Sequence, residues 1–286
     1  MKSALAGVAA AAAVALGGAA VAQRATLAID PPASDARAAI PVLRAADGTP
    51  VALVAPARQD LPKTPYNGRF VFTRIQYDMG GGTMGRFFGR RGDPPWHHDH
   101  PSAEYNFARI LEALSYVPPS IDQSNILTLD DERIFLYPIL YMVEPGYWRP
   151  TETEMVRLRE HLLKGGMIIF DDFDDRQFFV LEQIFQRVLP ELAFAPIMPD
   201  DPVFDSFFQI DPRELHFGAA GYRGDQIDFQ GIHEDNDPSR RLLVIAGNRG
   251  DLGEFWEFSD VGFFPVDITN EAYKVGVNYI VYGMTH

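Results

Sequence analysis

The stretch Lys164–Asp175, Lys-Gly-Gly-Met-Ile-Ile-Phe-Asp-Asp-Phe-Asp-Asp, constrains the fold more than any other part of the chain. A glycine pair ends a helix, because glycine accepts the left-handed backbone that closes one. Met167–Phe170 is then apolar without a break, which suits a strand buried on both faces, as in parallel sheets covered by helices. Upstream, Thr151-Glu152-Thr153-Glu154 reads as a capping box in which the Thr151 hydroxyl and Glu154 carboxylate satisfy backbone donors reciprocally. Met155, Leu158 and Leu162 follow at helical spacing, and Pro138–Val143 before them reads as a strand. Strand, helix and strand at this spacing predict a right-handed parallel crossover. Ligands bind such sheets beyond the carboxyl ends of the strands. Asp171, Asp172, Asp174 and Asp175 arrive at that end.

Other elements fit the same plan. Phe70–Tyr77 is β-branched and aromatic and predicts a first strand, and Ile126–Leu129 predicts a short second one. Between them a glycine-rich loop from Gly80 ends in Trp96-His97-His98-Asp99-His100-Pro101, where a helix carrying Phe107, Ile110, Leu111 and Leu114 begins. Gln177–Val188 reads as a further helix, Arg241–Ala246 as a buried strand and Glu271–Tyr282 as a closing helix. Asp200–Asp237, dense in aromatics, Gly and Asp, is read without regular elements and carries His216 and His233.

The N-terminus organises differently. Lys2 precedes a small-residue apolar run from Ala4 to Ala22 that ends in Ala20-Val21-Ala22, the order of a secretory signal cleaved after Ala22. Residues 23–67 are rich in Ala and Pro and read as a linker or arm, with a short strand near Val51–Val54, leaving residues 68–286 as a single α/β domain. Export to the periplasm or beyond is the expected destination, with no membrane span in the mature chain. Acidic residues outnumber basic ones 39 to 25 and the formal net charge is −14, which argues against nucleic acid as a partner. There is no cysteine, which removes disulfides, thiolate metal sites and thiol nucleophiles.

If the strands are parallel, their ends bring several polar groups to one edge: Asp78 with the His97–His100 loop, Glu144 with Tyr147 and Trp148, Asp171 with Asp172, and Asn248 with Asp251. These are the candidate ligand-binding residues, with Asp78, Asp99, Glu144, Asp171 and Asp172 as polar contacts and Tyr147 and Trp148 as stacking surfaces. Three imidazoles and a carboxylate in His97-His98-Asp99-His100 also suit a divalent transition metal. On that alternative, His97 and His98 ligate with Asp171. The competing structural readings are a helix-entry loop capped by Asp99, and a helix cap from Asp171 or Asp172. Three Arg-Gly-Asp triplets, at 91–93, 223–225 and 249–251, read as turns. Neither a phosphate-loop Gly-Lys-Ser/Thr nor a Gly-x-Ser-x-Gly elbow occurs.

The chain resembles the bacterial domain-of-unknown-function family 4159. The strings that carry the resemblance are Phe-Thr-Arg-Ile-Gln-Tyr (72–77), Trp-His-His-Asp-His-Pro (96–101) with Glu104 and Asn106, and Asn-Ile-Leu-Thr-Leu-Asp-Asp (125–131). They continue in Tyr-Met-Val-Glu-Pro-Gly-Tyr-Trp (141–148), Gly-Gly-Met-Ile-Ile-Phe-Asp-Asp-Phe (165–173), Gly-Asp-Leu-Gly (250–253) and Gly-Val-Asn-Tyr-Ile-Val-Tyr (276–282). That family resembles the class I glutamine amidotransferase-like superfamily, which implies a flavodoxin-like three-layer sandwich with a mostly parallel sheet. Amidotransferase chemistry needs a cysteine at a strand-to-helix elbow, and this chain has none.

Three functions are therefore expected, in order. The first is binding of a small polar or saccharide-like ligand, or of a cell-envelope protein, at the strand-end crevice. The second is metal-assisted hydrolysis by His and Asp residues at the same edge, with a divalent metal as the only cofactor the sequence suggests. The third is a structural interaction module whose crevice is filled by Phe263, Phe264 or the N-terminal arm.

Overall fold

The computed structural model describes residues 64–79, 93–216 and 226–286. All of them belong to the second of two contact units, Leu61–His286. The signal-like run 1–22, residues 23–63 of the arm, the glycines at 80–82 and the Arg-Gly-Asp triplet at 223–225 lie outside the described residues, as do Arg91 and Gly92 of the first triplet.

Seven strands form one sheet: β1 (Thr73–Ile75), β2 (Asn125–Leu127), β3 (Ile139–Val143), β4 (Met167–Asp171), β5 (Ala195–Pro196), β6 (Asp228–His233) and β7 (Leu242–Asn248). Their order is β2-β1-β3-β4-β7-β6-β5. The first five in that order are parallel, while β6 runs antiparallel to β7 and β5 antiparallel to β6. The parallel part has the flavodoxin-like order, whose switch point lies between β1 and β3. Five α-helices accompany it among the described residues: α1 (Ser102–Leu114), α2 (Glu152–Leu163), α3 (Asp175–Val188), α4 (Leu252–Glu257) and α5 (Val266–Thr285).

Side chains of the central strands alternate between two cores, as strand geometry requires. Ile139, Tyr141, Val143, Ile169 and Ile245 pack with Phe107 and Leu111 of α1, Trp256 of α4 and Tyr279 of α5. Leu140, Met142, Ile168, Phe170 and Val244 pack on the other face with Leu158 of α2 and Leu181 and Phe185 of α3. Three layers result, and the predicted crossover appears as β3–α2–β4 in parallel register. The Thr151–Glu154 capping box forms in full, and Gly165 after α2 takes a φ of 110°.

Two elements differ from expectation. Region 200–237 contains β6, which pairs along its length with β7. Its Asp-Phe-Gln-Gly-Ile-His sequence gains strand character from that long-range pairing rather than from local preference. Leu252–Glu257 forms a helix too short to show periodicity. Among the described residues, no helix is long and apolar enough to cross a membrane.

Candidate functional site

The carboxyl ends of β1, β3, β4 and β7 share one edge, and the loops leaving them carry the polar residues. The chain turns sharply there: Asp99, Glu144, Asp172 and Arg249 have φ of 63°, 47°, 53° and 66°. A left-handed backbone is costly for residues with a Cβ and recurs where side-chain direction serves function. Glu144 and Asp172 occupy equivalent places, one residue past β3 and β4. Glu144 is held in this conformation from the segment just past β1, because the Tyr77 hydroxyl donates to the carbonyls of Glu144 (2.8 Å) and Val143 (3.1 Å).

Those turns bring three side chains together. His98 Nδ1 lies 3.0 Å from Glu144 Oε1 and 3.5 Å from Asp172 Oδ2. One ligating atom from each residue falls within 4.8 Å of the other two. His98 is 30% exposed and each carboxylate 14%, so the group is sheltered but reachable. The carboxylates of Asp172 and Glu144 hold His98 up to about 10, against its ordinary 6.5. Burial, together with the charges of Glu144 and Asp171, raises Asp172 to about 6 despite His98.

Asp171 points elsewhere. Only 1% exposed, it accepts hydrogen bonds from the Tyr141 hydroxyl (2.7 Å) and the backbone N–H groups of Leu252 (2.9 Å) and Gly253 (3.0 Å). It ties β4 to the start of α4 and leaves ligation to its neighbour Asp172. The cap of α3 is Asp174, which accepts from Arg176 N and Gln177 N, so neither Asp171 nor Asp172 fills that role.

His97 also stands apart from the cluster, packed edge-on between Trp96 and His100. Its burial lowers its basicity. His100 Nδ1 donates to Glu104 Oε1 at 3.1 Å, and Arg74 Nε donates to the same carboxylate at 2.5 Å. Burial opposes charge on Glu104, but Arg74 and His100 draw it down to about 2. The Arg74 guanidinium, on β1 and wholly buried, also lies 5.1 Å from the centre of the Tyr141 ring. This network anchors the loop that carries His98.

The remaining candidates divide. Trp148 is completely buried among the α2 and α3 side chains, so stacking on a ligand is corrected to core packing. Tyr147 beside it stays half-buried on the surface. Asp78 is exposed, and its carbonyl accepts from Arg149 N at 2.9 Å. Asn248 donates to Asp175 (2.7 Å) and Asp228 (3.2 Å), and Asp251 caps α4 through Glu254 N (2.9 Å). Asp99 is buried near Asp172. Of the two histidines in region 200–237, His216 is exposed and His233 pairs with Asp201 at the opposite edge.

Sequence reasoning missed the pairing of Glu144 with His98 as a metal-ligand set. The signal was present in the equivalent placement of Glu144 and Asp172 after adjacent strands. Among known proteins, the profile of a domain of unknown function (DUF4159) matches residues 71–284. No curated protein matches the chain.

Proposed function

The chain belongs to the DUF4159 family of domains of unknown function, and we propose that it binds a divalent transition metal between His98, Glu144 and Asp172 and uses it to hydrolyse a small polar substrate. One observation carries this reading. In a tetrahedral zinc site with bonds of about 2.1 Å, ligand atoms lie roughly 3.4 Å apart. The 3.0 and 3.5 Å separations around His98 already bracket that spacing. One imidazole, once its Nδ1 proton is released to solvent as the metal enters, and two carboxylates are ordinary ligands for zinc and its neighbours, and three protein ligands would leave a position for water. A metal held there would lower the pKa of such a water and so supply a nucleophile near neutral pH. The chain's part is to aim the ligands, through the left-handed turns at Glu144 and Asp172 and the Tyr77 hydroxyl behind Glu144.

A saccharide stacked on Trp148 loses its main support with that ring in the core, so the metal reading is favoured over ligand binding alone. The family's place among amidotransferase-like folds belongs to the same proposal, supported by the flavodoxin-like strand order. The lack of cysteine removes the thiol nucleophile of that chemistry. Export is proposed from the signal-like N-terminus.

The test is thermal stability with zinc after chelator treatment, for wild type and His98→Ala. A metal at 100 times its dissociation constant adds about 2.7 kcal/mol, which should raise the melting temperature of wild type only. Equal shifts in both proteins would overturn the site. Zinc-dependent cleavage of chromogenic esters or phosphoesters, lost in His98→Ala, supports the hydrolytic step, and binding without cleavage limits the domain to metal binding.

A further inference from the structure

A second group of carboxylates gathers beside the His98 loop. The ligating atoms of Asp99, Glu254 and Glu257 lie within 4.8 Å of one another. An acidic cluster alone says little, since acidic groups often meet at surfaces without an ion. Asp99 adds an independent observation. It is only 9% exposed, and its Oδ2 has no hydrogen-bond partner among the described residues. A buried carboxylate oxygen without a partner carries a large desolvation cost. That oxygen lies close against α4 only because residue 253 is glycine: a Cβ there would stand 2.4 Å from it and 3.0 Å from the Tyr141 hydroxyl. The glycine before Glu254 thus lets the Asp99 carboxylate approach α4.

We infer that Asp99, Glu254 and Glu257 form a second cation site, distinct from the His98 cluster and selective for a hard divalent ion. The donor set defines the class. All three ligands are carboxylate oxygens, which suit Mg2+, Mn2+ or Ca2+, whereas the imidazole of His98 suits a transition metal. Glu254 and Glu257 make other contacts as well. His98 and Asp99 are consecutive, so one turn of chain supplies a ligand to each site.

Equilibrium dialysis of the full chain against Mn2+, after stripping with chelator, counts the ions bound. The expected result is two per chain in wild type, one in Glu257→Gln and one in His98→Ala. Glu254→Gln serves as a second variant, and melting in chelator checks that each protein is folded. One ion in wild type, lost in His98→Ala and kept in Glu257→Gln, overturns the second site alone. One ion lost in Glu257→Gln but kept in His98→Ala supports it while removing the first. Two ions retained by both glutamate variants, or none bound by wild type, overturns it.

Discussion

Asp171 and Asp172 are neighbours in sequence with opposite duties, and replacing each by Asn or Ala separates them. Asp171 accepts from the Tyr141 hydroxyl, Leu252 N and Gly253 N inside the protein. Removing the carboxylate in Asp171→Ala orphans three donors, and each buried orphan costs about 1–3 kcal/mol. Because the three share one acceptor and water can enter the gap, a combined loss of about 3–6 kcal/mol is expected rather than the full sum. Against a total stability of about 5–15 kcal/mol for a typical domain, that is a large fraction. Asp172→Asn should behave differently. Its carboxylate is unfavourably placed beside Glu144 and Asp171 in the metal-free protein, and Asn tolerates the left-handed backbone. The expected stability change is within about 1 kcal/mol, but zinc affinity should fall at least about tenfold, the scale seen even for residues that only support a ligand. Urea denaturation with chelator present measures the first quantity and zinc titration of the folded variants the second. If Asp171→Ala costs less than about 1 kcal/mol, the structural role of Asp171 is refuted. If Asp172→Asn binds zinc like wild type, the ligand assignment is refuted.

Three further outcomes follow from the same geometry. The folded-state pKa of His98, about 10, exceeds its unfolded value, so its contribution to stability is complete below about 6.5 and lost as pH rises through about 10. Melting of metal-free protein should therefore drop over that window, and a His98→Gln variant with an unchanged drop would contradict it. Tyr77→Phe removes the hydroxyl that holds the Glu144 turn, which should cost about 1 kcal/mol of stability and weaken metal binding by about 10–100-fold; calorimetry that finds wild-type affinity would exclude this positioning role. Arg74→Met leaves Glu104 charged and buried without its main partner, so denaturation should show a loss of about 3–5 kcal/mol. A double Arg74→Met, Glu104→Met change should recover much of it.

What the sequence could show follows from how local each cause is. The helix–strand unit at 151–171 was readable because its cap, periodicity and glycine stop all lie within the segment. The polar edge was readable from strand ends in a parallel sheet. The division of labour within it was not. Asp171 is set apart from Asp172 by backbone donors some 80 residues downstream, at Leu252 and Gly253, and by a left-handed turn that hydrophobic pattern does not report. Likewise Tyr147 and Trp148 are adjacent aromatics after one strand, and only the packing of α2 and α3 decides which enters the core. The meeting of His98 with Glu144 joins loops from different strands and has no counterpart in local spacing.

The most direct measurement is anomalous-difference density from crystals grown with zinc. One strong peak should touch His98 Nδ1, Glu144 and Asp172 at about 2.0–2.2 Å. A peak bound instead by His97 or Asp171, or no peak beside His98 at saturating zinc, would contradict it.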